Sequence, residues 1–437
     1  MKDMGTVHQH VLVIGGGASG VLMAAHLLKQ DGIQVTLVEK GELLGCGIAY
    51  STTDPDHLLN TRVHNMSAFA DQPEHFHDWL TEHGRPRHET DFVSRATYGD
   101  YMQDLLTPWR GNPRLTLVKD EATRLQAEDG GITLTLGSGQ QVRGDRAILA
   151  TGHAVPEATP GLDNAWHFDG GIDPDARVVI IGSGLSMIDQ TLSLLKGGHR
   201  GQIVSVSRRG LLPLAHGTSL PRPTGAEPPF GAEISWLLHW MRTTARNAEA
   251  NGGSWRDAVD GVRPHAHRLW REMTITQRKR FLRHAGSWWG VHRHRIPPAS
   301  WNTILDALTR GQLELRRGRF DGMEDNHVRI LHPDRSVEEI AASRVIDCRG
   351  ILRDLETHGS PLIRDLLKQG IARMDPLRVG LDVTLHCQLI AQDGTVQQRI
   401  QAIGPVSRAA FWEITAIPDI RAQVAELASQ PEAEALA

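Results

Sequence analysis

Residues 11–20 read VLVIGGGASG, an apolar run that breaks into closely spaced glycines. Because the run is apolar without alternation, it predicts a strand of a parallel sheet that is covered on both faces. Gly15 would allow a tight turn after this strand, and Gly17 would let the backbone approach a pyrophosphate. Gly20 would let the following helix pack closely against the strand. This spacing is typical of a site that binds a dinucleotide.

The residues that follow complete this first unit. Residues 19–30 predict a helix whose unpaired N–H groups and positive dipole end would face the phosphates. A second strand over residues 34–38 leads to Glu39, at the place where an acid accepts hydrogen bonds from the adenosine ribose. Strand, turn, helix, strand and acid in this order favour a bound dinucleotide over a glycine turn without a ligand.

A related but less complete unit recurs at residues 178–184, which read VVIIGSG. A helix is predicted over residues 185–195, and a further strand over residues 202–206. Met187 stands where the third glycine of the first unit stands. Either the helix therefore lies further from the strand, or Met187 faces elsewhere.

The strand of the second unit ends in Ser207, Arg208 and Arg209, where the first unit has an acid. An acid suits a free ribose hydroxyl, whereas guanidinium groups bind a 2′-phosphate. Together with Gly182 and Gly184, these residues favour NADPH over NADH. The alternative is that the two arginines are solvated surface charge. Two dinucleotide sites in one chain indicate a flavin and a nicotinamide, and hence a redox protein.

Composition agrees with a protein of two or three domains, since the chain has 437 residues of which 40% are hydrophobic. Its net charge of −4 argues against a general nucleic-acid or membrane-surface protein. We find no apolar run of membrane-spanning length and no signal-peptide pattern, which predicts a cytoplasmic location. Cys46, Cys348 and Cys387 are widely spaced, as in proteins of a reducing compartment.

The order of the motifs predicts an α/β fold with two Rossmann-like dinucleotide-binding domains. Residues 1–155 would form the first part of an FAD domain. Residues 172–330 would form an inserted NADP domain, with a helical insertion around 230–300 that is rich in tryptophan and arginine. Residues 340–437 would form the returning part of the FAD domain, which the chain would re-enter through a strand at 344–346.

Several motifs resemble those of a known family. They are GCGIAY at 45–50, HLLN at 57–60, RATYG at 95–99, SRRG at 207–210 and FWE at 411–413. With the two glycine turns, they make the chain similar to flavoproteins with two dinucleotide-binding domains. More narrowly, it resembles the bacterial FAD-NAD(P)-binding family related to the class B flavin monooxygenases, which include ornithine and lysine N-hydroxylases.

This resemblance implies an FAD-dependent, NADPH-using monooxygenase. It would hydroxylate a small polar molecule with molecular oxygen through a C4a-(hydro)peroxyflavin, and N-hydroxylation is favoured. One alternative is a flavin reductase that passes electrons to a quinone or a protein partner, and another is a non-catalytic nucleotide sensor. A disulfide reductase is disfavoured, because Cys46 has no second cysteine near it in the sequence to form a redox pair.

The resemblance also implies which residues border the flavin. The strand at 146–150 leads into Thr151 and Gly152, and a late strand brings the chain back at Gly404. The predicted FAD-binding residues are therefore Gly15, Gly17, Gly20, Glu39, Thr151, Gly152 and Gly404.

The loop at residues 57–69 supplies the candidates for contacts with the flavin ring or the substrate. These are Asn60, His64, Asn65 and Ser67. For each of them the alternative is a loop residue that caps backbone groups. We expect no catalytic triad or carboxylate pair, because the flavin carries the chemistry and the protein positions it.

Residues 236–301 hold seven of the eleven tryptophans, among many arginines. We favour a helical subdomain with the tryptophans in its core and the arginines on its solvated face. The alternatives are a site for an anionic small molecule or the nicotinamide phosphates, and a site for single-stranded nucleic acid, which the overall acidic charge disfavours. The histidine pairs His265/His267 and His292/His294 do not have the spacing of a zinc site.

Overall fold

The computed structural model describes residues 9–128, 130–154, 159–166, 171–218, 228–350 and 354–430. Its strands are β1 (Gln9–Ile14), β2 (Ile33–Glu39), β3 (Leu115–Lys119), β4 (Ala122–Glu128), β5 (Gly131–Leu136), β6 (Gln141–Gly144), β7 (Arg146–Leu149), β8 (Asp163–Asn164), β9 (Val178–Ile181), β10 (Ile203–Ser207), β11 (Leu313–Arg317), β12 (Arg319–Glu324), β13 (His327–Leu331), β14 (Val337–Ala341), β15 (Arg344–Asp347), β16 (Gln388–Ile390) and β17 (Val396–Ala402). Its α-helices are α1 (Ala18–Leu28), α2 (His75–Glu82), α3 (Arg95–Asp104), α4 (Leu185–Lys196), α5 (Ile234–Ala250), α6 (Trp255–Val262), α7 (Ala266–Glu272), α8 (Ile275–His284), α9 (Gly286–Arg293), α10 (Pro298–Thr309), α11 (Leu355–His358), α12 (Pro361–Gln369) and α13 (Ile417–Ser429).

The chain divides into two compact units. The first contains residues 1–55, 61–155 and 352–437, and the second contains residues 56–60 and 156–351. The short segment 56–60 therefore groups with the second unit, although the first unit surrounds it in the sequence.

The first unit is built on a six-stranded sheet with the strand order β16-β17-β7-β1-β2-β3. β1 pairs in parallel with β2 and β7, and β17 pairs in parallel with β7. Val11, Leu12 and Val13 have no exposed surface, as expected for a strand covered on both faces. α1 packs against β1, β2 and α13. β4, β5 and β6 form a separate antiparallel sheet.

The second unit is built on a five-stranded parallel sheet with the order β11-β10-β9-β15-β8. The side chains of β9 alternate between two hydrophobic clusters. Val178 and Ile180 pack in one cluster with Met187 of α4, and Val179 and Ile181 pack in the other with residues of β13 and β14. Met187 is fully buried, so the interpretation in which it faces elsewhere is wrong. These sheets confirm the predicted fold class.

The strand Arg344–Asp347 differs from our expectation. We expected it to return the chain to the first domain, but it pairs in parallel with Val178–Ile181 inside the second unit. A strand of four residues carries no local signal for the sheet it joins, because its partner is set by long-range pairing. The chain therefore leaves the second unit only after this strand.

The helices α5 to α9 hold most of the tryptophan-rich stretch. Of its seven tryptophans, all of which the structure describes, only Trp270 is buried, whereas Trp236 and Trp288 are 56% and 50% exposed. Arg293 and Arg295 are buried instead. The expected core of tryptophans with an outer face of arginines is therefore wrong in detail. Among the helices described above, none is both long and apolar enough to span a membrane.

Candidate dinucleotide-binding sites

The first glycine turn is held between two strand ends of the first unit. The Gly15 N–H donates to the carbonyl of Val38, and the Ala150 N–H donates to the carbonyl of Ile14. Gly15 has φ +101°, and a Cβ there would lie 2.5 Å from the Ala150 oxygen. Glycine is therefore required at this position by the fold itself. The turn directly contacts the segment that continues into Thr151 and Gly152.

Gly17 occupies a different environment from Gly15. It is the N-cap residue of α1, and because it is a glycine it supplies no side-chain cap to the N–H groups of the first helical turn. A Cβ on Gly17 would meet only the backbone of Gly47, with Cα at 3.5 Å and N at 3.9 Å, which are ordinary contact distances. The fold thus tolerates a small side chain at this helix N-terminus.

Glu39 lies at the end of β2, as predicted, and faces the same turn. Its carboxylate accepts hydrogen bonds from the Gly16 N–H at 2.5 Å and from the Gly41 N–H at 2.6 Å. These bonds fix the carboxylate beside the glycine turn. A carboxylate has about four acceptor positions, so it retains capacity for the ribose hydroxyls.

Gly404 follows β17 and reaches the same edge of the sheet. Its φ is +66°, and a Cβ there would overlap the Ser19 hydroxyl at the start of α1. Its N–H donates to the side chain of Gln423 at 2.8 Å, and the other end of that amide donates to the Ser407 hydroxyl at 3.1 Å. α13 thereby anchors the late turn against the first turn of α1, and the predicted FAD residues of the first unit converge.

His153 directly follows Gly152 in the sequence, and it is not among the site residues predicted from the sequence. Desolvation by burial, together with the nearby Arg408 guanidinium, lowers its pKa to about 4. Arg408 itself lies 4.3 Å from the ring centroid of Trp412. A neutral imidazole at neutral pH therefore lies just beyond Gly152. The sequence feature that could have identified His153 is its position directly after Thr151 and Gly152, at the end of the predicted strand 146–150.

The four loop candidates occupy different settings. Ser67 is fully buried, and its hydroxyl lies within hydrogen-bond distance of the carbonyls of Phe69 and Gln72. His64 Nδ1 lies 2.9 Å from the Glu89 carbonyl, and the Asn65 amide lies 2.9 Å from His64 Nε2. The structure thus brings His64 and Asn65 together on one 3₁₀ turn and uses the Ser67 hydroxyl within the loop.

Asn60 groups with the second unit, whereas the other three candidates belong to the first unit. Its carbonyl lies 2.9 Å from His216 Nε2. His57 Nε2 lies 2.8 Å from the Ser193 hydroxyl on α4, which also joins this segment to the second unit. This grouping could not be predicted from local sequence patterns, because it depends on contacts between residues more than a hundred positions apart.

The second glycine turn repeats the geometry of the first. Gly182 has φ +117°, and a Cβ there would overlap the carbonyl oxygen of Cys348. The Gly182 N–H donates to the Val206 carbonyl at 2.8 Å, and the Cys348 N–H donates to the Ile181 carbonyl at 2.8 Å. Gly184 caps α4, and a Cβ on it would have no heavy atom within 4 Å. This turn therefore leaves open space at a helix N-terminus.

The residues after β10 have distinct partners. The Ser207 hydroxyl accepts from the Gly210 N–H at 3.0 Å and lies 2.8 Å from the Ser183 hydroxyl, so it shapes the turn. Arg208 is exposed. Arg209 is half-buried, and its guanidinium donates to the carbonyl of Arg283 at the end of α8.

Comparison with known proteins agrees with this geometry. Residues 12–154 match the model of a family described as FAD-NAD(P)-binding, which confirms the resemblance. A search of curated proteins finds no significant match. Among solved structures, ornithine N-hydroxylase of Kutzneria sp. 744, determined with reduced FAD, NADP⁺ and L-ornithine, has a TM-score of 0.67 at 11% identity, over 96% of this chain and 97% of that chain.

Two further structures show the range of enzymes with this fold. The FAD-bound cadaverine monooxygenase of Erwinia amylovora has a TM-score of 0.66 at 11% identity, over 97% of this chain and 94% of that one. Bacillithiol disulfide reductase of Staphylococcus aureus has a lower TM-score of 0.56 at 14% identity, over 97% and 98%. The chain thus carries an FAD-NAD(P)-binding domain at residues 12–154, and it has the fold of flavoproteins with two dinucleotide-binding domains.

Proposed function

We propose that the chain is an FAD-dependent, NADPH-using monooxygenase that hydroxylates a small polar molecule, with an amine nitrogen as the favoured target. The observation that carries this proposal is the pair of glycine turns at Gly15 and Gly182, each hydrogen-bonded to the neighbouring parallel strand of its own sheet. Two such turns supply two dinucleotide sites. The similar ornithine and cadaverine enzymes support the reaction type.

The first unit would hold FAD. The N–H groups at the start of α1, next to Gly17, would take the pyrophosphate, and Glu39 would take the ribose. Thr151, Gly152 and Gly404 would border the rest of the cofactor. When bound, FAD supplies hydride acceptance and oxygen activation, and the residues of the chain supply its position and keep water out.

The second unit would hold NADPH. Gly184 and the start of α4 would take its pyrophosphate in the same way. Arg208, which is exposed directly after β10, would carry the preference for the 2′-phosphate, with Arg209 next to it in the same loop. Ser207 would set the shape of the loop that contains these arginines, because its hydroxyl accepts a hydrogen bond from the Gly210 N–H.

The cysteines favour a reaction without dithiol exchange. All three are free and buried. Desolvation by burial is the main cause that raises the pKa of Cys46 to about 11 and that of Cys387 to about 12, and it also raises the pKa of Cys348 well above its usual value. A buried neutral thiol is a poor nucleophile, so these residues do not provide the chemistry of a disulfide reductase.

The test is oxygen stoichiometry with a panel of amines, amino acids and aromatic acids that includes ornithine, lysine and cadaverine. An N-hydroxylation consumes NADPH, O₂, a proton and the amine, and it yields NADP⁺, water and the hydroxylamine. We expect one member of the panel to accelerate NADPH oxidation, with one O₂ consumed and one hydroxylated product formed per NADPH.

Other outcomes separate the alternatives. Rapid NADPH oxidation with a quinone, and no oxygenated product from any amine, would identify a reductase. Tight nucleotide binding without turnover would identify a nucleotide sensor. Either result would overturn the monooxygenase proposal.

A further inference from the structure

The sheet of the second unit places an additional arginine, Arg317, beside the loop that follows β10. β10 and β11 are parallel neighbours, and Ser207 pairs with Arg317 in their register. Arg208 directly follows Ser207, and Arg317 is the last residue of β11. Neighbouring strands lie about 4.8 Å apart, so the backbones of Arg208 and Arg317 lie close together at the same edge of the sheet.

The loop after β10 reinforces this proximity. A Cβ on Gly210 would lie 3.5 Å from the Cβ of Arg317, so the loop passes directly over the end of β11. The Gly318 N–H also donates to the Ser207 carbonyl at 2.9 Å. The ends of the two strands are therefore held together by the backbone.

Neighbouring arginines already have partners. Arg316 forms an ion pair with Glu314 at 2.7 Å, and Arg319 forms one with Asp321 at 2.8 Å. Arg209 donates to the Arg283 carbonyl. Arg208 and Arg317 are exposed, and within the described ranges neither lies within ion-pair distance of a carboxylate. Two guanidinium groups thus remain available at this edge.

We propose that Arg317 and Arg208 together form the subsite for the 2′-phosphate of the adenosine moiety, and that Arg209 is a positioning residue which ties the loop to α8. The inference rests on the proposed use of NADPH and goes beyond it by assigning a specificity-determining residue on a different strand. Guanidinium groups bind phosphate oxygens through paired N–H donors, and two of them hold a dianion better than one.

The experiment measures ligand binding and needs no turnover. Adenosine 2′,5′-bisphosphate and adenosine 5′-monophosphate are titrated by calorimetry into the full-length flavin-loaded protein. We expect Arg317→Ala to weaken binding of the bisphosphate by roughly ten- to hundredfold and to leave binding of the monophosphate unchanged. Arg317→Lys retains the charge without the planar donor pair and should lose less.

Arg319→Ala is the matched control, since Arg319 lies two residues away, is exposed and already has an acidic partner. It should bind both probes like the wild type. The double variant Arg208→Ala/Arg317→Ala should lose less than the product of the two single effects if both groups contact the same phosphate. Thermal melting of each variant shows that the fold is retained.

Three results would overturn the inference. They are wild-type binding of the bisphosphate by Arg317→Ala, an equal loss for both probes, and a wild-type protein that does not distinguish the probes. A protein that passes this binding test but forms no oxygenated product would refute the monooxygenase proposal and leave the subsite standing.

Discussion

A methyl group on Gly404 would overlap the hydroxyl of Ser19, so the late turn of the first unit packs directly on the first turn of α1. The contact joins residues from opposite ends of the chain. It exists because β17 pairs in parallel with β7 and delivers Gly404 to the edge where β1 ends. The C-terminal part of the chain therefore packs against the helix that follows the first glycine turn.

Gly404→Ala should destabilise the first unit and reduce its flavin content. The change forces a side chain into φ +66° and against Ser19. Gly394→Ala is the control, because Gly394 also has a positive φ, of +91°, but a Cβ there would come no closer than 3.9 Å to another group. The control should cost about 1–2 kcal/mol in free energy of unfolding, and Gly404→Ala should cost clearly more. Equal costs in denaturant titrations would show that the contact with Ser19 is unimportant.

Gly17→Ala should impair FAD binding, whereas Gly15→Ala should impair the stability of the fold. Gly17 has room for a Cβ within the chain, so its variant should fold and lose bound FAD. Gly15 has no such room, so its variant should lose stability in the absence of cofactor as well. Flavin absorbance per protein and the melting temperature of the cofactor-free protein measure the two effects. A yellow Gly17→Ala protein with full FAD content would contradict the assigned pyrophosphate position.

His153 should make stability fall at acid pH. Its pKa is about 4 in the folded protein and 6.5 in the reference state, so between these values the unfolded chain binds the additional proton. The contribution of the neutral His153 to the free energy of unfolding is fully present above pH 6.5. It is lost as the pH falls towards 4, by at most about 3 kcal/mol. His153→Gln should flatten this part of the stability profile relative to the wild type, as measured by denaturant titrations across this pH range. Parallel profiles for the two proteins would contradict the burial of His153.

The cysteines should be dispensable for electron transfer from NADPH. Cys46→Ala removes a buried thiol and should retain the rate of flavin reduction by NADPH within about twofold, because its neutral thiol is not a nucleophile. In the folded wild type, a thiol reagent such as dithionitrobenzoate should modify none of the three cysteines until denaturant is added. A large loss of flavin reduction in Cys46→Ala would revive a thiol-based mechanism.

Both dinucleotide turns could be predicted from the sequence, because each is a local feature. Strand, glycine turn, helix and second strand follow one another without interruption, and the apolar runs and glycine spacing specify them directly. Glu39 and Ser207 could be placed at strand ends for the same reason. The motif alone does not show, for Gly15 or for Gly17, whether the glycine is required by the fold or by the ligand.

Tertiary structure alone decided the features that depend on which strands become neighbours. Residues 344–347 joined the second sheet, segment 56–60 grouped with the second unit, and Arg317 came to pair with Ser207, the residue before Arg208. None of these follows from local periodicity, because a parallel sheet pairs strands that are distant in the sequence and its strand order is chosen by the packing of both faces. The sequence by itself therefore determined the two glycine turns and the class of ligand, and the three-dimensional pairing decided which distant side chains surround them.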